Sequence, residues 1–215
     1  MGGRAHANDR RARGEFTFTE AARREQLIDL TIDLIAEHGF ARTTLAKIAA
    51  AAELSNAAVL YFFGAKNAVL LAAGERVMSD VIETVATAVS DAPTAREGID
   101  AYVRAIVGHM VEHPSHTRVM IELLTQAPPD LVESVTGTST PQASRWRPVA
   151  ELIERAQLDG ELRTFDARTA AIGLIGATDA VFAESLNDPD YDLRTAVDEL
   201  LDLFDRSTAP EPDDR

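Results

Sequence analysis

Between Thr43 and Lys66 the chain reads TTLAKIAAAAELSNAAVLYFFGAK, and its polar side chains are of the kinds that hold a phosphate backbone and read a base edge. Thr44, with the free amides at the start of a helix, suits a phosphate oxygen. Lys47 lies outward from the same helix. Asn56 carries an amide that pairs bidentately with adenine in a major groove, and Ala57, Ala58 and Leu60 can touch thymine methyls. Each of these positions also fits an ordinary solvated helix surface. A second cluster, His109, His113 and His116, surrounds Pro114. Its spacing of four places two imidazoles on one helical face, as metal ligands require. No cysteine and no obvious further ligand accompanies them, so the expectation is ordinary surface or pocket histidines, with no metal and no cofactor. There is no nucleophile elbow and no Gly-rich phosphate loop, so no enzyme is expected.

The elements that position these residues are helical. Leu45, Ile48, Ala49 and Ala52 form one inner face, and Val59, Phe62 and Phe63 another, with Glu53-Leu54 as the turn between them. Thr43 is expected to cap the first helix and Ser55 the second. Two short helices sharing a buried side are the layout of a helix-turn-helix, in which the second helix enters the major groove. A preceding helix is signalled by the capping-box spacing Thr17-x-x-Glu20, by Leu27, Thr31, Leu34, Ile35 and His38 in one stripe, and by Gly39 as its C-cap. A long helix follows, from about residue 67 to residue 90, with Val77, Val81, Val85 and Val89 in register. Thr94-x-x-Glu97 opens another helix, which Pro114 stops, and a further helix runs to about Gln126. A short helix follows Pro128-Pro129-Asp130, and a longer one spans about Ser144 to Leu158. Two apolar helices, about 167–186 and 190–206, close the chain. The fold class is all-α, and no strand-like alternation of useful length is present.

The chain has 215 residues, 46% of them hydrophobic, and a net charge of −14. Its charge is unevenly spread. Residues 1–68 carry nine Lys/Arg and eight Asp/Glu, a net of +1, whereas residues 69–215 carry twelve and twenty-seven, a net of −15. DNA would be repelled everywhere except at the head; the acidic body also fits a purely solubilising role. The absence of cysteine excludes disulfides and thiol chemistry. The N-terminus has no apolar run of a secretory signal, and no stretch reaches the roughly 18 apolar residues that span a bilayer. The expected location is cytoplasmic, with no membrane partner. The expected organisation is a flexible basic arm over 1–18, a DNA-binding domain over 19–66, a ligand-binding and dimerisation domain over 67–206 and a frayed tail over 207–215.

At Gly39-Phe40-x-x-Thr43-Thr44-Leu45-x-x-Ile48-Ala49-x-x-Ala52-x-Leu54-Ser55, continuing to Phe63-Gly64-x-Lys66, the sequence resembles the TetR family of bacterial repressors. The resemblance covers residues 20–70. It implies a homodimer of about nine helices per subunit, in which three helices bind DNA, the remainder hold a small-molecule inducer, and the last two helices pair across a two-fold axis. Tyr61 and Lys66 resemble the family's phosphate contacts. The DNA-binding set so implied is Thr43, Thr44, Lys47, Ser55, Asn56, Ala57, Ala58, Leu60, Tyr61 and Lys66. Two residues depart from the family pattern. Glu53 stands where Gly is usual in the turn, and Leu60 stands where an aromatic is usual.

Elsewhere the residues leave alternatives open. Tyr102, His109, Met110, Met120, Trp146 and Phe182 fit either a ligand pocket or core. Gly173, Gly176, Ala177 and Ala180, together with Val197, Leu200, Leu201 and Phe204, fit a dimer seam, and the small-residue stripe also suits packing within one subunit. The function expected is a ligand-responsive transcriptional regulator, most simply a repressor, which binds a palindromic double-stranded DNA operator as a homodimer. The alternatives are a dimeric helical binding protein without specific DNA recognition and, less simply, an all-α enzyme.

Overall fold

The computed structural model describes residues 17–126, 129–136, 141–188 and 190–210, and among them every regular element is an α-helix. The ten helices are α1 (Phe18–His38), α2 (Leu45–Ala51), α3 (Asn56–Phe63), α4 (Lys66–Ser90), α5 (Ala95–Glu112), α6 (Pro114–Gln126), α7 (Pro129–Thr136), α8 (Pro141–Leu158), α9 (Ala167–Asn187) and α10 (Leu193–Thr208). The chain divides into two compact units. One comprises residues 1–77 and 118–127, the other residues 78–117 and 128–215. The arm expected over 1–18 lies outside the described residues up to residue 16. The tail expected over 207–215 overlaps the end of α10, which continues to Thr208, a buried residue that donates its hydroxyl to Phe204 O; residues 211–215 lie outside the described residues.

In the first unit, α1 starts at a complete capping box. The Thr17 amide donates to Glu20 Oε2 at 2.9 Å while the Glu20 amide donates back to Thr17 Oγ1 at 3.3 Å. Leu27, Ile28, Thr31, Ile32 and Ile35 form the buried stripe of α1. Gly39 ends the helix at φ 81°, a conformation natural to glycine. The next residue, Phe40, is buried, and its amide donates to Glu122 Oε2 at 2.9 Å. The core of this unit is Leu27 with Ile48, Ala49, Ala52, Val59 and Val69, so α1, α2, α3 and the start of α4 close around one apolar centre.

In the second unit the core runs through Ile99, Val103, Val149, Ile153, Ala156, Ala171, Leu174, Val197 and Leu201, drawn from α5, α8, α9 and α10. Thr94, Asp166 and Asp192 cap α5, α9 and α10, each accepting from the amide three residues on. Arg145 forks onto Asp179, donating to Oδ2 at 2.6 Å, and fastens α8 to α9. Arg96 joins Asp100 at 3.0 Å and also pairs with Asp205. The helix α9 is long and apolar enough, by length and composition, to cross a membrane, which corrects the expectation that no stretch reaches that length. Its apolarity has two other uses. Ala167, Ala171, Leu174, Ile175, Thr178 and Phe182 are buried, and a second stripe faces outward.

Candidate nucleic-acid interface

The two short helices α2 and α3 meet at 102° across the break Ala52–Ser55. This is the crossing expected of a helix-turn-helix. Their shared side is closed by Ile48, Ala49, Ala52 and Val59, and that burial fixes which residues point out. Asn56, Ala57, Leu60 and Tyr61 are exposed on α3, Thr44 is exposed at the head of α2, and Lys47, Ala58 and Lys66 are half-buried. Ser55 caps α3, its Oγ accepting from the Ala58 amide at 3.2 Å. Asn56 is therefore the first residue of the helix, its side chain exposed at the end that carries unpaired amides.

One sequence expectation is corrected here. The cap of α2 is Thr44, not Thr43: Thr44 Oγ1 accepts from the Lys47 amide at 3.3 Å. Thr43 is wholly buried, and its hydroxyl is directed at Gly39 O (2.9 Å) and Leu34 O (3.2 Å). It cannot reach a phosphate; it ties the turn to the end of α1. Consecutive threonines look alike in sequence, and only the path of the turn decides which faces in. Thr43→Val should cost about 1–2 kcal/mol of stability by stranding these carbonyls, measured by urea denaturation, and leave DNA affinity per folded molecule unchanged.

Tyr61 is exposed, and its hydroxyl donates to Glu20 Oε1 at 2.7 Å. The carboxylate that completes the capping box of α1 thus also braces α3. Sequence reasoning found the box and missed this second role, since the two residues are forty-one positions apart. It also missed Arg42, an exposed cation in the turn before α2, whose Nε donates to His38 O at 2.7 Å. Its position as the only base in that turn was the available signal.

Glu53 has φ 55° and is the only described non-glycine residue with a positive φ. An L side chain pays about 1–2 kcal/mol there, partly offset because glycine loses more freedom on folding. Glu53→Gly should therefore stabilise the first unit by about 0.5–1 kcal/mol, read as a rise in the denaturation midpoint at constant slope.

Several of the residues expected to line a ligand pocket pack in or on the core of the second unit. Tyr102 is buried in the second core and donates its hydroxyl to Arg145 O at 3.0 Å; burial pushes its pKa up. Phe182 is buried, and Trp146 packs on the core with the Arg168 guanidinium 4.9 Å from its ring centroid. His109 is buried and Met110 half-buried in the same unit, whereas Met120 belongs to the first unit. The hollows of this unit open elsewhere. One of about 460 Å³ lies between Val107, Val111, Leu193 and Val197, with Arg104 and Arg194 at its rim.

The outward stripe of α9 is Ile172, Gly173, Gly176 and Ala180. A Cβ built on Gly173 or Gly176 would meet nothing within 4 Å, so these glycines do not serve packing within the subunit. Beside them, Ala177, Leu200, Leu203 and Phe204 line an open apolar groove of about 670 Å³. Two seam expectations are corrected. Val197 and Leu201 are each 2% exposed and belong to the core. Leu203, at 62%, shows instead. A helix inside a subunit and a helix at a seam carry the same apolar period, so the choice of face waits on which side α9 occupies.

Comparison with known proteins agrees with this geometry. The family described as bacterial regulatory proteins, tetR family, matches residues 27–73. The HTH-type transcriptional regulator BetI of Burkholderia thailandensis is 43% identical over 77 residues, 34% of this chain and 40% of that protein. The chain thus spans about two fifths of the length of the curated relatives it matches. Among solved structures, the transcriptional regulator FadR from Bacillus subtilis in complex with stearoyl-CoA has a TM-score of 0.71 at 21% identity, over 84% of this chain and 96% of that one. SmeT, the repressor of the Stenotrophomonas maltophilia multidrug efflux pump SmeDEF, has a TM-score of 0.69 at 22% identity, over 87% and 91%. These structures share the all-helical fold, and residues 27–73 match the family described as bacterial regulatory proteins, tetR family.

Proposed function

We propose that this protein is a cytoplasmic, ligand-responsive transcriptional repressor that binds a palindromic operator as a homodimer and leaves it when a small molecule binds the second unit. The observation that carries the reading is the exposed face of α3, with Asn56 at its first turn and the capped N-terminus of α2 beside it. Thr44, Lys47, Arg42 and Lys66 supply phosphate contacts, Asn56 reads a base, and Ala57 and Leu60 make apolar contact. Since few polar groups leave α3, part of the discrimination comes from DNA shape. The acidic remainder of the chain keeps DNA to this head. Homodimerisation rests on the uncovered Gly173/Gly176 stripe and the Leu203 groove, which suit close approach by a second copy. It is favoured over burial of α9 in a bilayer because α9 carries Asp179, which is ion-paired to Arg145 of α8.

The test is a titration against DNA taken from upstream of the protein's own gene, with random DNA alongside, at several salt concentrations. The reading predicts a preference for the upstream DNA that persists as affinity falls steeply with salt. Equal affinity for both DNAs at every salt overturns it and favours a helical binding protein without operator recognition.

A further inference from the structure

The geometry points to a transition-metal site in the second unit, built on His109 Nε2 and His116 Nδ1 and completed by His113, for a divalent ion that prefers imidazole, such as zinc or nickel. His109 is 5% exposed, the only described buried histidine. Its Nδ1 lies 3.3 Å from Thr84 Oγ1, and that hydroxyl donates its own proton to Asp80 O at 2.8 Å. Thr84 can therefore only accept from the ring, so the His109 proton sits on Nδ1 and the lone pair on Nε2. That lone pair points at His116 Nδ1, 3.2 Å away. Two nitrogens bound to one tetrahedral ion at about 2.0–2.1 Å stand ~3.3 Å apart. An outer hydrogen bond that locks the tautomer of an inner ligand is the usual support of a metal-bound histidine.

The third ring is near. His113 lies with its centroid 4.5 Å from that of His109 and 5.1 Å from that of His116. No group of three described ligands already stands in coordinating geometry, so His113 must turn. It is exposed at the C-cap of α5, where a rotamer change costs little packing. Burial above all, and then His113 and His116, lower the His109 pKa, against the opposing pull of Asp80 and Glu112. Three neutral imidazoles can donate to one cation. The three-nitrogen set without thiolate suits zinc, nickel, copper or cobalt(II) rather than calcium or magnesium.

The experiment uses the untagged full-length chain. Zinc and nickel are titrated by calorimetry at neutral pH, and cobalt(II) is added as a spectroscopic probe. The expected result is saturation at one ion per chain, a visible cobalt absorption with imidazole-type intensity, and at least tenfold weaker binding for His113→Ala and for His116→Ala, neither of which is fully buried. Two results would overturn the site: no saturable binding by the wild type, or saturable binding that survives unchanged in the His113→Ala/His116→Ala double variant. Neither depends on an operator, so the outcome is separable from DNA recognition.

Discussion

Asn56→Ala lowers affinity for the cognate operator about 5- to 150-fold, the range of a lost bidentate base contact of about 1–3 kcal/mol, and leaves affinity for random DNA nearly unchanged. The position explains the size. Asn56 is exposed at the first turn of α3, with Ser55 already satisfying the cap, so its amide is not needed to start the helix. The fold should survive the change. Lys66→Ala is the contrasting variant. It removes a cation at the head of α4 and should weaken all DNA alike, reducing the salt slope by about one. Competition binding of both variants at two salt concentrations separates the roles. If Asn56→Ala weakens operator and random DNA by the same factor, Asn56 is not a base reader.

Gly176→Leu is expected to dissociate the proposed dimer while slightly stabilising the isolated subunit. The two effects have different origins. Glycine inside a helix costs about 0.5–1 kcal/mol relative to good helix formers, and nothing within 4 Å obstructs a side chain at this position in the subunit. A leucine would instead fill the space into which a partner helix must come. Operator affinity should fall at least about 100-fold, since two half-sites would no longer be engaged by linked heads. Sedimentation velocity with thermal denaturation reads both effects. A variant that stays dimeric would place the seam elsewhere. Leu203→Glu, on the neighbouring groove, repeats the test with a charge instead of bulk.

The head was legible because local rules and tertiary packing agree there. The capping box of Thr17 and Glu20, Gly39 as C-cap, Ser55 as N-cap and the inner face of Ile48, Ala49 and Val59 all appear as the spacing predicts. Even Glu53, which stands where Gly is usual in the turn, has the positive φ that favours glycine. Ten helical segments follow from breakers and caps along the chain, against the nine or so implied by family resemblance. The second unit was less legible. Its aromatic and histidine residues are apolar or amphipathic, and nothing in their spacing separates pocket from core.

The sequence alone determined the all-helical class, the place of the two short helices α2 and α3 and the split between an acidic body and a near-neutral head, because these depend on periodicity, caps and charge, which are local. Tertiary structure decided what depends on facing. It turned Thr43 inward and Thr44 outward, bonded Tyr61 to Glu20, and sank Val197 and Leu201 while leaving Leu203 exposed. It also brought the rings of His109, His113 and His116 within reach of one another and set Thr84 against His109. A helix presents several faces with similar composition. Which of them meets a neighbour is set by contacts between residues far apart in the chain, and that information is not carried by any short stretch.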